Sequence, residues 1–132
     1  MICLDTTFLI DLWRSWGKES AAAKFLKENS AEKIIVPVTA AGEFLEGSVS
    51  MDATHWQESL RLLHIFELAD LTETTAVQYA KIAADLRLRK MLGGTSKADI
   101  WNAACAMEHG AALVTRNARD FNKIKNLMVM TY

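Results

Sequence analysis

Proline is nearly missing from this chain: Pro37 is the only one, beside six glycines. No linker, low-complexity segment or internal repeat is visible, so residues 1–132 read as a single domain. Cysteine is equally scarce. Cys3 and Cys105 lie far apart and form no Cys-x-x-Cys pair, which argues against a disulfide framework or a cysteine-type zinc site and fits a reducing cytoplasm. The three histidines, His55, His64 and His109, show no paired metal spacing. No apolar run approaches the ~20 residues of a membrane span. The N-terminus reaches Asp5 with no basic stretch and does not read as a signal peptide, so a cytoplasmic protein without membrane contact is the expectation. Charge of one sign is also lacking. A formal net charge of -1 argues against a surface coated with positive charge for nucleic acid.

What is present is an ordinary globular balance, 51% hydrophobic and 23% charged. The charges are unevenly placed. Arg87, Arg89, Lys90, Lys97, Arg116, Arg119, Lys123 and Lys125 gather in residues 85–125, while acids are frequent between Glu43 and Glu73, so a two-sided electrostatic surface is expected.

Hydrophobic patterning gives the element order. Residues 1–4 form a short apolar run that reads as a buried strand, and Asp5-Thr6-Thr7 can cap a helix through Trp13. A helix is predicted over 19–28, with Phe25 and Leu26 inward. Ile34-Ile35-Val36, β-branched and ending at Pro37, predicts a second buried strand. Helices follow over 39–47 and 54–64, the second with Trp56, Leu60, Leu63 and His64 on one face, and residues 66–71 suit an edge strand. The longest helical signal covers 74–91, where Val77, Ala80, Ala84 and Leu88 recur at helical spacing and Gly93-Gly94 provides a stop. Thr95-Ser96 restarts a helix to Glu108, Ala112-Leu113-Val114 is a third strand, and residues 127–130 are a last one. Short apolar strands alternating with helices predict an α/β fold around a mostly parallel sheet. In such folds functional residues gather beyond the carboxyl ends of strands. That rule brings Asp5, Glu43, Asp99 and Asn117 toward one edge.

Taken singly, each acid has an ordinary explanation. Asp5 can be an N-cap, Glu43 a solvated helix residue with Glu46 as its equal, and Asp99 the acidic partner of Ser96 in a capping box. The sequence around them narrows the choice. Ile2-Cys3-Leu4-Asp5-Thr6-Thr7-Phe8-Leu9-Ile10-Asp11 resembles the opening of PIN-domain proteins, especially VapC-type toxins of toxin–antitoxin pairs. Glu43-Phe44-Leu45-Glu46-Gly47 is similar to their Glu-Leu-x-x-Gly helix and favours Glu43 over Glu46. Lys97 to Ala106 resembles their Asp-x-x-Ile-Ala-Ala segment, and Thr115-Arg116-Asn117-Ala118-Arg119-Asp120-Phe121 their Thr-Arg-Asn-x-x-Asp-Phe strand exit.

The resemblance spans nearly the whole chain in family order. It implies a PIN-like three-layer sandwich with a mostly parallel sheet of four to five strands. It further implies endoribonuclease activity with Mg2+ or Mn2+, and metal-binding carboxylates at Asp5, Glu43 and Asp99. Asp5 and Asp99 are then the primary ligands, and Glu43 binds through water or orients the attacking water. Thr115 and Asn117 hydrogen-bond to a ligand or its water. Many relatives carry an acid where Asn117 stands, and Asp120 lies one helical turn on as an auxiliary acid. Asn102 replaces an apolar family residue and reads as a neutral surface change rather than a polar contact near the site. Arg116, Arg87, Arg89 and Lys90 are candidate RNA contacts, for which a surface ion pair or a solvated helix end is the alternative. Trp13, Trp16, Trp56 and Trp101 read as core or interface residues rather than base-stacking platforms.

The toxin resemblance also implies a small antitoxin partner inserting a helix or arm near the site, and a homodimer through the apolar faces near 8–16 or 54–64. Three other readings remain in view. They are a non-catalytic RNA-binding module on the same scaffold, a nuclease acting on DNA, and a haloacid dehalogenase-type phosphatase. The last needs an Asp where Thr7 stands.

Overall fold

The computed structural model describes residues 1–132. In chain order its elements are β1 (Ile2–Leu4), α1 (Thr6–Arg14), α2 (Ala21–Glu28), β2 (Ile34–Pro37), α3 (Val38–Val49) and α4 (Ala53–Leu63), followed by β3 (Glu67–Ala69), α5 (Glu73–Leu88), α6 (Lys97–Glu108), β4 (Ala112–Val114), α7 (Ala118–Phe121) and β5 (Val129–Met130). The five strands form one sheet in the order β3-β2-β1-β4-β5, and every pairing is parallel.

Strand alternation divides the apolar residues between two faces. Ile2 and Leu4 join Val36 and Val114 on one side, packed with Phe8, Leu9 and Leu12 of α1, Phe25 of α2, Phe44 of α3, and Leu62 and Leu63 of α4. Cys3, Ile35 and Leu113 point to the other side, against Ile82, Ala83 and Leu86 of α5, Ile100 and Ala103–Ala106 of α6, and Phe121. The result is helices, sheet, helices: the three-layer architecture expected. Each fully buried Leu, Ile or Phe adds roughly 1.5–3 kcal/mol to folding. The inner helix α6 buries Ile100 and every residue from Asn102 to Ala106. Its run of alanines lets it lie close against the sheet.

Three local expectations are corrected. On α5, Val77, Ala80, Ala84 and Leu88 face solvent, Leu88 at 84% exposure. The core face is Thr75, Ile82, Ala83 and Leu86. A helix with two apolar stripes offers two choices, and α6 packs against the one that also carries Thr75. That hydroxyl, with Thr72, reaches Glu108 at the far end of α6. Second, Gly93-Gly94 does not end α5. Lys90 does, in the left-handed region at φ 56, with Lys90 N–H donating to the Arg87 carbonyl and Met91 N–H to the Leu86 carbonyl. This is the double hydrogen bond of a Schellman stop, normally built on glycine. Gly110 builds the same stop on α6 at φ 61. Third, α4 turns Ser59, Leu62 and Leu63 inward and leaves His64 exposed, because the Ser59 hydroxyl pairs with Ser48 of α3 across 2.5 Å.

Candidate active site

The chain runs outward from β1 to β2 and β3, then crosses over to β4 and β5 on the opposite side. The order therefore reverses between β1 and β4, and the sheet opens a crevice beyond their carboxyl ends. Leu4 and Val114 are register partners there. The next residues, Asp5 and Thr115, are both buried at the mouth of that crevice.

Asp5 occupies the N-cap position of α1, with φ -80 and ψ 162, yet its side chain caps nothing. The carboxylate turns inward and is 2% exposed. Its Oδ2 accepts from Thr115 Oγ1 at 2.8 Å and from Thr7 Oγ1 at 3.3 Å. Its Oδ1 accepts from Asn102 Nδ2 at 3.0 Å. An aspartate placed only to start a helix would direct an oxygen at the free N–H groups of the first turn. This one is held by three donors from three separate segments and faces no cation.

Asp99 lies in the first turn of α6, where its own N–H donates to Ser96 Oγ at 3.0 Å. Burial pushes its carboxyl above the usual range, and the charge of Asp5 pushes it further, with a smaller push from Asp120. Hydrogen bonds to Ser96 oppose the shift. Glu43 stands on α3, where Thr6 Oγ1 donates to its Oε1 at 2.9 Å. Desolvation raises its carboxyl too, and Asp99, Asp5 and Glu46 each add to the rise while Thr6 offsets part of it. Glu43 and Asp99 thus lie close enough to the other acids for their own charge to be disfavoured. None takes part in any of the molecule's ion pairs.

The other candidates divide. Thr115 is fully buried, donates to Asp5 and accepts the Asn117 N–H at 3.0 Å. Asn117 is exposed at the start of α7 and its side chain makes no cap. Asp120 reaches Asp99 only through its field. Arg116 is held by Asp11 at 2.7 Å, and Tyr132 donates to the other oxygen of that carboxylate at 2.7 Å. Arg89 pairs with Asp85 and donates to the Lys123 carbonyl, so the helix-end explanation describes it, while Arg87 and Lys90 are exposed. Trp101 stacks on Tyr79 with ring centroids 4.2 Å apart, and Trp16 is 54% exposed.

Asn102 was misjudged by sequence reasoning. It is fully buried, not a surface change, and it links Asp5 to Thr39 of α3, whose Oγ1 donates to its Oδ1 at 2.5 Å. The available signal was a lone amide inside the apolar run Ile100–Ala106. Thr6, Thr7 and Thr39 were also missed as site residues, since a threonine near a helix start looks like an ordinary cap.

No three Asp, Glu, His or Cys side chains converge tightly enough to enclose a metal by themselves. The donor chemistry nevertheless fits a hard divalent cation. The available ligands are carboxylate oxygens, and such ions retain several waters rather than demanding a full protein cage. Two carboxyls shifted upward beside a third, with no cationic partner, form a field that a divalent ion relieves.

A family model described as PIN domain matches residues 2–127. No curated protein matches the sequence. Among solved structures, the fold is similar to a chain of VapBC2 from Rickettsia felis bound to a DNA fragment from their promoter, with TM-score 0.86, 19% identity, and 100% of this chain and 99% of that one covered. It is also similar to a chain of FitAcB from Neisseria gonorrhoeae, with TM-score 0.83, 21% identity and coverage of 98% and 96%. A third is DNA-bound VapBC from Salmonella typhimurium, with TM-score 0.82, 19% identity and coverage of 99% and 98%. With a parallel five-stranded sheet, an acid at the tip of β1 and a family match across almost its full length, the chain belongs to the PIN domain family.

Proposed function

We propose that this protein is a divalent-metal-dependent endoribonuclease, the toxin of a VapBC-type pair, acting in the cytoplasm. The observation that carries the reading is the group formed by Asp5, Glu43 and Asp99. These acids come from three separate segments, the charge of Asp5 helps push the Glu43 and Asp99 carboxyls upward, and none of the three is in an ion pair.

Asp5 and Asp99 are the proposed ligands of Mg2+ or Mn2+. Such an ion neutralises charge on the transferring phosphate and lowers the pKa of a bound water. Thr115, Thr7 and Asn102 keep the Asp5 carboxylate oriented without neutralising it. Glu43, at the rim and with a raised carboxyl, orients the attacking water and takes up its proton. Asp120 adds negative charge beside Asp99 where Asn117 supplies none.

The proposed antitoxin arm docks in the groove between α1 and α3. Ile10, Trp13, Phe44 and Met51 line it together with the charged Arg14 and Glu43. An apolar side chain from the partner seated there covers Glu43. The fold is also similar to that of a toxin-antitoxin complex from Klebsiella pneumoniae, which supports a partner of this kind. Homodimer formation is part of the same proposal.

Cleavage of single-stranded RNA by wild type and Asp5→Ala, with Mg2+, Mn2+ or chelator, tests the reading. Wild type is expected to cut only with metal, and Asp5→Ala to lose at least 100-fold. Cutting of DNA in preference to RNA overturns the substrate assignment. Binding of RNA with no cutting under any metal overturns the enzyme assignment.

A further inference from the structure

We propose that Asn102 is a positioning residue that locks the metal-facing geometry of Asp5 and ties together the three elements carrying the acids; this rests on the nuclease reading above. Asn102 lies on α6 three residues after Asp99, so the two share a helix face. Its Nδ2 donates to Asp5 Oδ1 at 3.0 Å. Its Oδ1 accepts from Thr39 Oγ1 at 2.5 Å. Thr39 in turn lies four residues before Glu43 on α3 and shares a face with it. One buried amide therefore joins the end of β1 to the acid-bearing turns of α3 and α6.

The amide has only one usable orientation. An ionised carboxylate accepts and cannot donate, so the NH2 end faces Asp5 and the carbonyl end faces the Thr39 hydroxyl. A carboxylate offers about four acceptor positions. Thr115, Thr7 and Asn102 fill three, leaving the outstanding one on Oδ1, the oxygen that Asn102 holds. Asn102 thus decides which way the remaining lone pair of Asp5 points.

A purely structural account is less economical. The neighbouring positions Ile100 and Ala103–Ala106 fill the core with apolar groups, and an apolar residue at 102 would bury no polar atoms. The amide is tolerated because both its ends are bonded, and both bonds run to elements of the site. Supporting partners of this kind typically change metal affinity 10- to 100-fold when removed.

The test measures Mn2+ binding by calorimetry, together with melting temperature and RNA cleavage across a Mn2+ titration, for wild type, Asn102→Leu, Thr39→Val and Asp5→Ala. Asn102→Leu is expected to fold, to bind Mn2+ about tenfold more weakly and to need about tenfold more Mn2+ for half-maximal cleavage. Its metal-saturated rate is expected within about threefold of wild type. Thr39→Val moves in the same direction by about threefold, and Asp5→Ala loses binding. A role confined to packing lowers the melting temperature without moving Mn2+ affinity. Folded Asn102→Leu with wild-type affinity overturns the proposal while Asp5→Ala still reports on the nuclease. Should Asn102→Leu fail to fold, wild-type affinity in Thr39→Val overturns it instead. Wild type that neither binds Mn2+ nor cuts RNA overturns the nuclease reading and this inference together.

Discussion

Asp5 and Thr115 follow register partners on adjacent parallel strands, and the Thr115 hydroxyl donates to Asp5 Oδ2 across 2.8 Å. The pairing of β1 with β4 sets this contact, so the sheet itself aims the carboxylate. Thr115→Val keeps the shape and removes the donor. It is expected to lower metal-dependent RNA cleavage about 10- to 100-fold and to cost about 1–3 kcal/mol of stability, because Asp5 is buried and loses a partner. Cleavage kinetics and denaturant unfolding of the variant check both effects.

Much of this was legible in the sequence. β1, β2 and β4 announced themselves as short β-branched or apolar runs, and the rule about carboxyl ends of parallel strands drew Asp5, Glu43, Asp99 and Asn117 toward one edge, without foreseeing the contact of Asp5 with Thr115. The failures came where a pattern permits two answers. α5 carries Val77, Ala80, Ala84 and Leu88 at helical spacing, but also Ile82, Ala83 and Leu86 on another face, and only the packing of α6 decides between them. Asn102 was misjudged because local sequence cannot reveal that a buried carboxylate and a threonine hydroxyl from distant segments stand ready to satisfy its amide.

Raised carboxyls at Asp99 and Glu43 fix a pH dependence. The folded protein holds these protons more tightly than the unfolded chain does. Stability therefore falls as pH rises from the ordinary carboxylate range through the raised values, and remains lower at neutral pH. Asp99→Asn removes the penalty and is expected to raise the melting temperature at pH 7 by about 2–4 °C, a size that allows for screening by water. The gain shrinks as the pH is lowered to 4. Mn2+ added at pH 7 raises the melting temperature of wild type and leaves Asp99→Asn nearly unmoved. Thermal scans at the two pH values, with and without Mn2+, check all three statements.

Lys90 ends α5 at φ 56, in a conformation that suits glycine. Lys90→Gly keeps the Schellman stop and relieves the Cβ, so it is expected to stabilise the fold by about 0.5–1 kcal/mol. The same variant reports on RNA contact. If Lys90 touches the phosphate backbone, the apparent RNA affinity falls and its salt dependence becomes shallower, by about one unit of slope. Unfolding curves and binding at several salt concentrations separate the two outcomes.

Crystals grown with Mn2+ give the most direct view of the site through their anomalous difference map. The account predicts a strong peak within coordination distance of Asp5 Oδ1 and the Asp99 carboxylate, with Glu43 in contact directly or through water, and no such peak in Asp5→Ala. Saturating Mn2+ that leaves the crevice beyond β1 and β4 empty, or a peak held by other residues, would contradict it.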